Sequence, residues 1–421
     1  MPMNRRAFVL GGHITPFIGK RHPDFIWKRH ADFGKRENPV LEDYINRAVL
    51  GALESTGTPA AAIEKAWIGN FAGELFSGQG HLGAAVVGAH PDLLHKPVMR
   101  VEGACASGGL AFASALESIQ AGTDVTLVVG AEVQTTVSAR QGGDFLARAS
   151  HYRRQRSLHD FTFPAMFARR AKHYREAFDV PEEDIALASV KAYKNANLNP
   201  LAHMKAVSMP LDVAREASDK NPAFLTTEGF EYGPYLKMSD CSQVSDGGAA
   251  LILVSEEGLR RLGKSPADAI EVIGLGHATG NLYEDSDFTF MGTTHAAAQA
   301  AYAQAGVTPD DVQVAEVHDC FTVTELLMYE ALGWAERGKG GALLREGATD
   351  INGRIPVNTG GGLVGFGHPV GATGIKQVLE IYRQMKGECG AYQMSSRPDV
   401  GLTANMGGDD KTAVVGVFRN H

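Results

Sequence analysis

Three stretches of this sequence hold chemically able side chains among residues small enough to leave room around them. In Val101-Glu102-Gly103-Ala104-Cys105-Ala106-Ser107-Gly108-Gly109, a strand-like run from Pro97 to Val101 meets a tight turn, and a helical pattern follows. Cys105 therefore falls at a helix start, where unpaired backbone N–H groups and the macrodipole favour a thiolate over a thiol. An ordinary cysteine, with a pKa of about 8.5, is mostly a thiol at neutral pH, so such help matters to a nucleophile. The competing reading is a buried structural cysteine, the common fate of that residue. His318-Asp319-Cys320-Phe321 stands between a strand ending at Val317 and a helix from Thr322 to Leu332. The carboxyl end of a strand is a frequent place for a site in α/β folds. Consecutive residues rarely aim at one ion, so a thiol beside an imidazole suits proton transfer better than metal binding. The third stretch, Asn358 to Gly374, sets His368 in a glycine-rich loop that lets backbone approach a ligand closely. Its Gly365-x-Gly367-x-x-x-Gly371 spacing is one residue too long for a dinucleotide fingerprint, and no strand runs directly into it.

These stretches sit in a chain of 421 residues, 44% hydrophobic and 21% charged, which is a globular composition with material for more than one core. No apolar run approaches the length of a membrane span. Ala7 to Leu10 is too short for a signal-peptide core and reads as a first strand ended by Gly11-Gly12. The C-terminal residues carry no Ser-Lys-Leu peroxisomal address. Cys105, Cys241, Cys320 and Cys389 are scattered, with no C-x-x-C pair. That excludes a zinc ribbon or a disulfide framework and points to a reducing compartment, with cytoplasm the default. A net charge of -8 argues against a general nucleic-acid binder.

The elements that must position the reactive residues repeat. A helix from Leu41 to Leu53, a Thr58-Pro59 break, a second short helix and a strand at Ala66 to Gly69 form one copy. Helix Thr294 to Ala305, Thr308-Pro309 and strand Val314 to Val317 form the other. A second echo pairs Ala104-Cys105-Ala106-Ser107-Gly108 with Val370-Gly371-Ala372-Thr373-Gly374. Each opens a helix, Leu110 to Gln120 or Ile375 to Lys386. An apolar strand follows, Asp124 to Gly130 or Asp399 to Asn405. Two echoes in the same order imply duplicated α/β halves. Between the halves, Arg140, Arg148, Arg153, Arg154, Arg156, Arg169, Arg170, Lys172 and Arg175 face only Asp144 and Asp160 as local acids. This basic segment reads either as a solvated helical face or subunit contact, or as a dock for a phosphate-rich ligand. It lacks the interleaved aromatics of a nucleic-acid platform.

With these elements together the sequence resembles the thiolase superfamily over nearly its whole length. The carriers are the Cys105 turn, Ser242-Gln243-Val244-Ser245-Asp246-Gly247-Gly248-Ala249, His318-Asp319-Cys320-Phe321, and Gly367-His368-Pro369-Val370-Gly371-Ala372-Thr373-Gly374. Ordinary thiolases have Asn-Glu-Ala-Phe where this chain has His318 to Phe321, and a Cys-x-Gly where it has Asn405-Met406-Gly407. Both departures resemble the sterol-carrier-protein type of thiolase.

The resemblance implies a five-layered αβαβα fold of two similar halves. Residues 1–133, completed by 241–264, would form the N-terminal half and 265–421 the C-terminal half, with an inserted loop domain, 134–240, over the coenzyme A site. It implies thiolytic cleavage of a 3-ketoacyl-CoA or the reverse Claisen condensation, with coenzyme A as substrate and no other cofactor or metal. Cys105 would be the acyl-accepting nucleophile and His368 its base. Cys320 would exchange the proton of the α-carbon, while His318 would fix a water that, with His368, forms an oxyanion hole for the enolate. The amides of Cys105 and Gly407 would form the second oxyanion hole. Ser242 would touch pantetheine, and Met166 and Met291 would line the pocket. A homodimer or homotetramer, with room for an accessory protein, is the implied assembly. Two alternatives are a ketoacyl-acyl-carrier-protein synthase and a non-thiolytic acyl-CoA-binding or scaffold subunit. The second thiol Cys320 and the Gly-His-Pro element speak against the first, and retention of all four reactive residues against the second.

Overall fold

The computed structural model describes residues 3–421. Its strands are Ala7–Ile14 (β1), Ile18–Gly19 (β2), Lys65–Gly69 (β3), Val98–Val101 (β4), Val125–Glu132 (β5), Ser245–Ser255 (β6), Ile270–Thr279 (β7), Val314–Val317 (β8), Val400–Gly407 (β9) and Thr412–Asn420 (β10). The helices that matter to the site are Leu41–Thr56 (α1), Ser107–Gln120 (α2), Thr162–Phe178 (α3), Glu182–Ala196 (α4), Gly292–Ala305 (α5), Thr322–Ala331 (α6) and Thr373–Lys386 (α7).

The strands hydrogen-bond in the order β4-β3-β5-β6-β1-β7-β10-β9-β8, with β2 against β6. The two halves join where Phe8 meets Glu271 and Val9 meets Ile270. Outward from that junction the order is β1-β6-β5-β3, with β4 added at the edge, on one side and β7-β10-β9-β8 on the other. The outer strands pair in parallel, β4 with β3 and β3 with β5 on one side and β8 with β9 on the other, and the rest pair antiparallel. The repeated helix–strand orders occupy equivalent places: β1–α1–β3 matches β7–α5–β8, and α2–β5 matches α7–β9. Alternation along β1 divides the core between two faces. Phe8 and Leu10 pack with α1, whereas Ala7 and Val9 pack with residues of α2 and α7. Helices α2 and α7 pack on each other between the half-sheets, with α1 and α5 outside, which makes the five layers.

Two local expectations differ from the structure. Gly11-Gly12 does not end β1, which continues to Ile14 past a bulge between Val9 and Gly11. A Cβ on Gly12 would lie 2.1 Å from the Ala250 carbonyl, so glycine permits the close strand approach. Each Thr-Pro pair opens a single 3-10 turn, Ala60–Ala62 or Pro309–Asp311, not a full second helix. The basic segment is also largely neutralised in three dimensions. Arg140, Arg148, Arg154, Arg156, Arg170, Lys172 and Arg175 all have acidic partners, some of them distant in sequence, such as Asp285 and Asp409. Arg169 instead lies over the Phe288 ring at 4.1 Å.

Candidate active site

Cys105 lies in a 3-10 turn, Ala104–Ala106, that runs straight into α2. Ala104 adopts φ +52°, a conformation rare outside glycine, and its N–H donates to Glu102 Oε1 at 2.5 Å. The Ser107 hydroxyl closes the turn, donating to the Ala104 carbonyl at 2.6 Å and accepting from Gly103 N–H at 3.1 Å. Opposite this turn begins its sequence echo. A Cβ on Gly108 would lie 2.7 Å from the Gly371 carbonyl and 2.9 Å from the Gly374 nitrogen. The shared small residues thus let the two helix starts touch, which brings Cys105 beside the His368 loop.

His318 and Cys320 leave the carboxyl end of β8 because Asn358 ends the strand there. The Asn358 side-chain carbonyl accepts from Val317 N–H at 2.9 Å. Asp319 turns the other way and accepts from Leu363 N–H at 2.6 Å, tying the block to the glycine loop. Phe321 stacks on Phe167 of α3 with ring centres 4.4 Å apart, so α3 braces the block that carries the second thiol. His368 is held by its backbone N–H on Ser245 Oγ at 2.8 Å and by Nδ1 on Thr373 Oγ1 at 2.7 Å. Glu132 accepts from the N–H groups of Phe71, Ala72 and Gly371, stitching the two halves together below the site.

The structure brings Cys105, His318 and His368 together. The Cys105 Sγ and one ring nitrogen of each histidine all lie within 4.8 Å of one another. The imidazoles meet edge to face at 5.1 Å between centres, and each Nε2 is buried with no hydrogen-bond partner among the described residues. Cys320 is close enough to Cys105 that this neighbour adds to the upward push on its thiol, and its Sγ lies 4.0 Å from Thr324 Oγ1. Ser242 N–H donates to the Cys320 carbonyl at 2.9 Å. Met166 and Met291 are closed to solvent, Met291 in the same apolar core as Cys320 and Phe321.

Burial dominates the electrostatics. It pushes the Cys105 thiol up to about 12, although the backbone N–H groups of Gly408 and Cys105 itself pull the other way. The thiolate favoured by the helix start is therefore not the resting form, because desolvation outweighs the dipole. Burial also lowers His368 to about 3, and His318 well below its ordinary value with help from His368. Cys320 is raised well above its ordinary value, chiefly by burial. The resting site thus holds two thiols and two neutral imidazoles. The amide that faces the Cys105 sulfur belongs to Gly408, one residue beyond Gly407. Gly407 instead packs on the cysteine turn, where a Cβ would come within 2.1 Å of the Gly103 carbonyl.

Residues 31–257 match the family model for the N-terminal domain of thiolase, and residues 274–420 match the thiolase C-terminal domain-like model. The chain belongs to the thiolase family. This thiolase is 34% identical to an acetyl-CoA acetyltransferase of Methanothermobacter thermautotrophicus, over 92% of this chain and 96% of that one. It is 30% identical to sterol carrier protein 2 of Oryctolagus cuniculus, over 96% of this chain and 70% of the relative. Its fold matches a structure of the Ltp2-ChsH2(DUF35) aldolase with a TM-score of 0.77 at 22% identity, covering 99% and 98% of the two chains.

The four reactive side chains are legible in the sequence, but the groups that orient them are not. Thr373 lay inside a recognised motif without a role. Asn405 stood out only as the place of a missing cysteine. Asp319 and Asn358 each make one decisive backbone contact, which has no signature in spacing.

Proposed function

We propose that Cys105, His368, Cys320 and His318 carry out the two half-reactions of this thiolase. As a thiolase the chain is an acyltransferase acting on acyl-CoA thioesters, by thiolytic cleavage of a 3-ketoacyl-CoA or the reverse condensation. The observation that carries the residue assignment is the convergence of Cys105 Sγ with ring nitrogens of His318 and His368 within 4.8 Å. His368 Nε2 takes the Cys105 proton as the sulfur attacks the thioester carbonyl, and returns it to the departing coenzyme A thiolate. The neutral resting pair means that this proton moves during the attack. The N–H groups of Cys105 and Gly408, in place of Gly407, stabilise the tetrahedral oxyanion, where one donor contributes about 2.7–4 kcal/mol. In the second half-reaction Cys320 removes the α-proton of an incoming acyl-CoA, or returns it in cleavage, while His318, beside His368, donates to the enolate oxygen.

Ser242 is the pantetheine contact in this reading, with Met166 and Met291 packing the pocket wall and residues 134–240 as the covering loop domain between halves 1–133 plus 241–264 and 265–421. The unpaired edge of β4, where Met99 is 55% exposed, supports a homo-oligomer built by strand pairing. Four free cysteines support a reducing, cytoplasmic setting. No helix among the described residues is long and apolar enough to cross a membrane.

The test is thiolysis of acetoacetyl-CoA and longer or branched 3-ketoacyl-CoAs, with mass spectrometry of the trapped acyl-enzyme. The adduct should map to Cys105, and Cys105→Ala should abolish both adduct and turnover. Coenzyme A-dependent cleavage unchanged in Cys105→Ala would refute the assignment.

A further inference from the structure

His318 and His368 are both neutral, so what each offers a substrate depends on which ring nitrogen carries the proton. For His368 the neighbour decides. The Thr373 hydroxyl donates to the Pro369 carbonyl at 3.1 Å and so accepts from His368 Nδ1–H, leaving a lone pair on Nε2. His368 is thereby a base.

His318 has a different neighbour. The Asn405 amide is oriented by two backbone groups of fixed polarity. Its Oδ1 accepts from Gly109 N–H at 3.0 Å, and its Nδ2 donates to the Cys105 carbonyl at 3.1 Å. The other Nδ2 proton serves His318 Nδ1, 3.2 Å away. The amide cannot rotate to exchange these roles without losing both backbone bonds. Its seat is also cut to size. A Cβ on Gly109 would stand 2.7 Å from Asn405 Oδ1, and one on Gly374 would stand 2.5 Å from it.

We propose that Asn405 is a positioning residue that fixes His318 as the Nε2–H tautomer, so that His318 presents a hydrogen-bond donor to the enolate oxygen. The proposal rests on the thiolase reading above. With Nδ1 accepting from Asn405, the proton must sit on Nε2, which is buried and has no partner among the described residues. The two imidazoles then present opposite polarities, a lone pair from His368 and a proton from His318. Two lone pairs would repel an enolate. Two protons would leave Cys105 without a base. The same bond deprives His318 of the lone pair that a metal ion would need from its free nitrogen. Asn405 also holds the Cys105 carbonyl, so one amide aligns the nucleophile turn and the enolate donor together.

The test combines histidine nitrogen NMR with the two half-reactions measured separately. Long-range nitrogen–proton spectra of the histidine-labelled wild type, with His318→Gln for assignment, should show His318 protonated on Nε2. In Asn405→Asp the carboxylate accepts where the amide donated, so the proton should move to Nδ1. Exchange of acetyl-CoA α-protons in heavy water should then fall by about 100-fold or more at pH 8, the usual loss for one oxyanion donor. It should recover towards pH 6, where the carboxylate helps protonate His318 and restores a donor on Nε2. Asn405→Ala should lose exchange without that recovery. Acylation of Cys105 should fall at least tenfold less than exchange in both variants. A wild-type His318 protonated on Nδ1, or exchange and acylation falling equally with no recovery at low pH, overturns the proposal. Failure of the thiolase reading looks different, since wild-type protein would then form no acyl-Cys105 while its tautomer remained readable.

Discussion

Lys376 Nζ lies 2.6 Å from Glu316 Oε2, and both side chains are closed to solvent. The pair joins α7, which follows the His368 loop, to β8, which delivers His318 and Cys320. Lys376 also lies 4.6 Å from the centre of the Phe366 ring. Burial nevertheless raises Glu316 to about 7, with Lys376 opposing the rise. Removing one partner of a buried pair leaves the other charge uncompensated, at a cost of about 3–5 kcal/mol. Lys376→Met should therefore lower the urea midpoint markedly at pH 8. A raised carboxyl binds its proton more tightly folded than unfolded, so its contribution to stability declines as pH rises from 4.5 to about 7. At pH 5 Glu316 is protonated in wild type and variant alike, and the loss should shrink. Combining Lys376→Met with Glu316→Leu should restore most of the midpoint. An equal loss at both pH values would show that packing, not charge, is at stake.

The neutral resting pair at Cys105 and His368 has its own signature. With the thiol raised to about 12 and the imidazole lowered to about 3, the thiolate fraction should grow about tenfold per pH unit through the neutral range. Alkylation of Cys105 by iodoacetamide, followed by mass spectrometry from pH 6 to pH 9, should rise on that slope without a plateau. A thiolate–imidazolium pair would react at a flat rate over the same range. The plateau is the outcome that would contradict the assigned resting state.

The distribution of small residues made much of this legible in the sequence. The Cys105 turn and the Thr373 turn read as related helix starts because each needs glycine where the other approaches. Their symmetric place in the sheet follows from the repeated helix–strand order. The state of the thiol was not legible, since a helix start can be read from sequence but the depth at which it is buried cannot. The acids that neutralise the basic segment were equally hidden, because Asp285 and Asp409 reach it from more than 100 residues away. Asn405 shows the limit most clearly. Its difference from the usual cysteine was visible, but its role depends on three partners, Gly109, Cys105 and His318, that only the fold assembles.

Gly374 tests whether contact between the two helix starts is required. A Cβ there would lie 2.2 Å from Gly109 N, which cannot yield without moving α2, and 2.5 Å from Asn405 Oδ1, whose side chain must swing aside. Overpacking of this kind typically costs about 1–3 kcal/mol. Gly374→Ala should lower the thermal midpoint and displace Asn405, reducing enolate chemistry more than acylation. A variant with unchanged midpoint and unchanged proton exchange would show that the contact is dispensable.

Cys320 divides the two half-reactions. It is 6% exposed, its thiol is raised well above the ordinary value by burial and by Cys105, and its backbone carbonyl is tied to Ser242. A thiol that holds its proton so firmly suits the cleavage direction, where the acetyl-CoA enolate released by carbon–carbon scission must be protonated. Acylation of Cys105 by an acyl-CoA requires no such proton. Cys320→Ala should therefore leave the acyl-enzyme burst from acetyl-CoA within about threefold of wild type, while steady-state thiolysis of a 3-ketoacyl-CoA falls by about 10²–10⁴, the usual contribution of a positioned acid or base. Quenched-flow measurement of the burst beside steady-state turnover separates the two. Parallel loss of both would place Cys320 in the support of Cys105, whereas loss confined to turnover assigns the α-carbon proton to its sulfur.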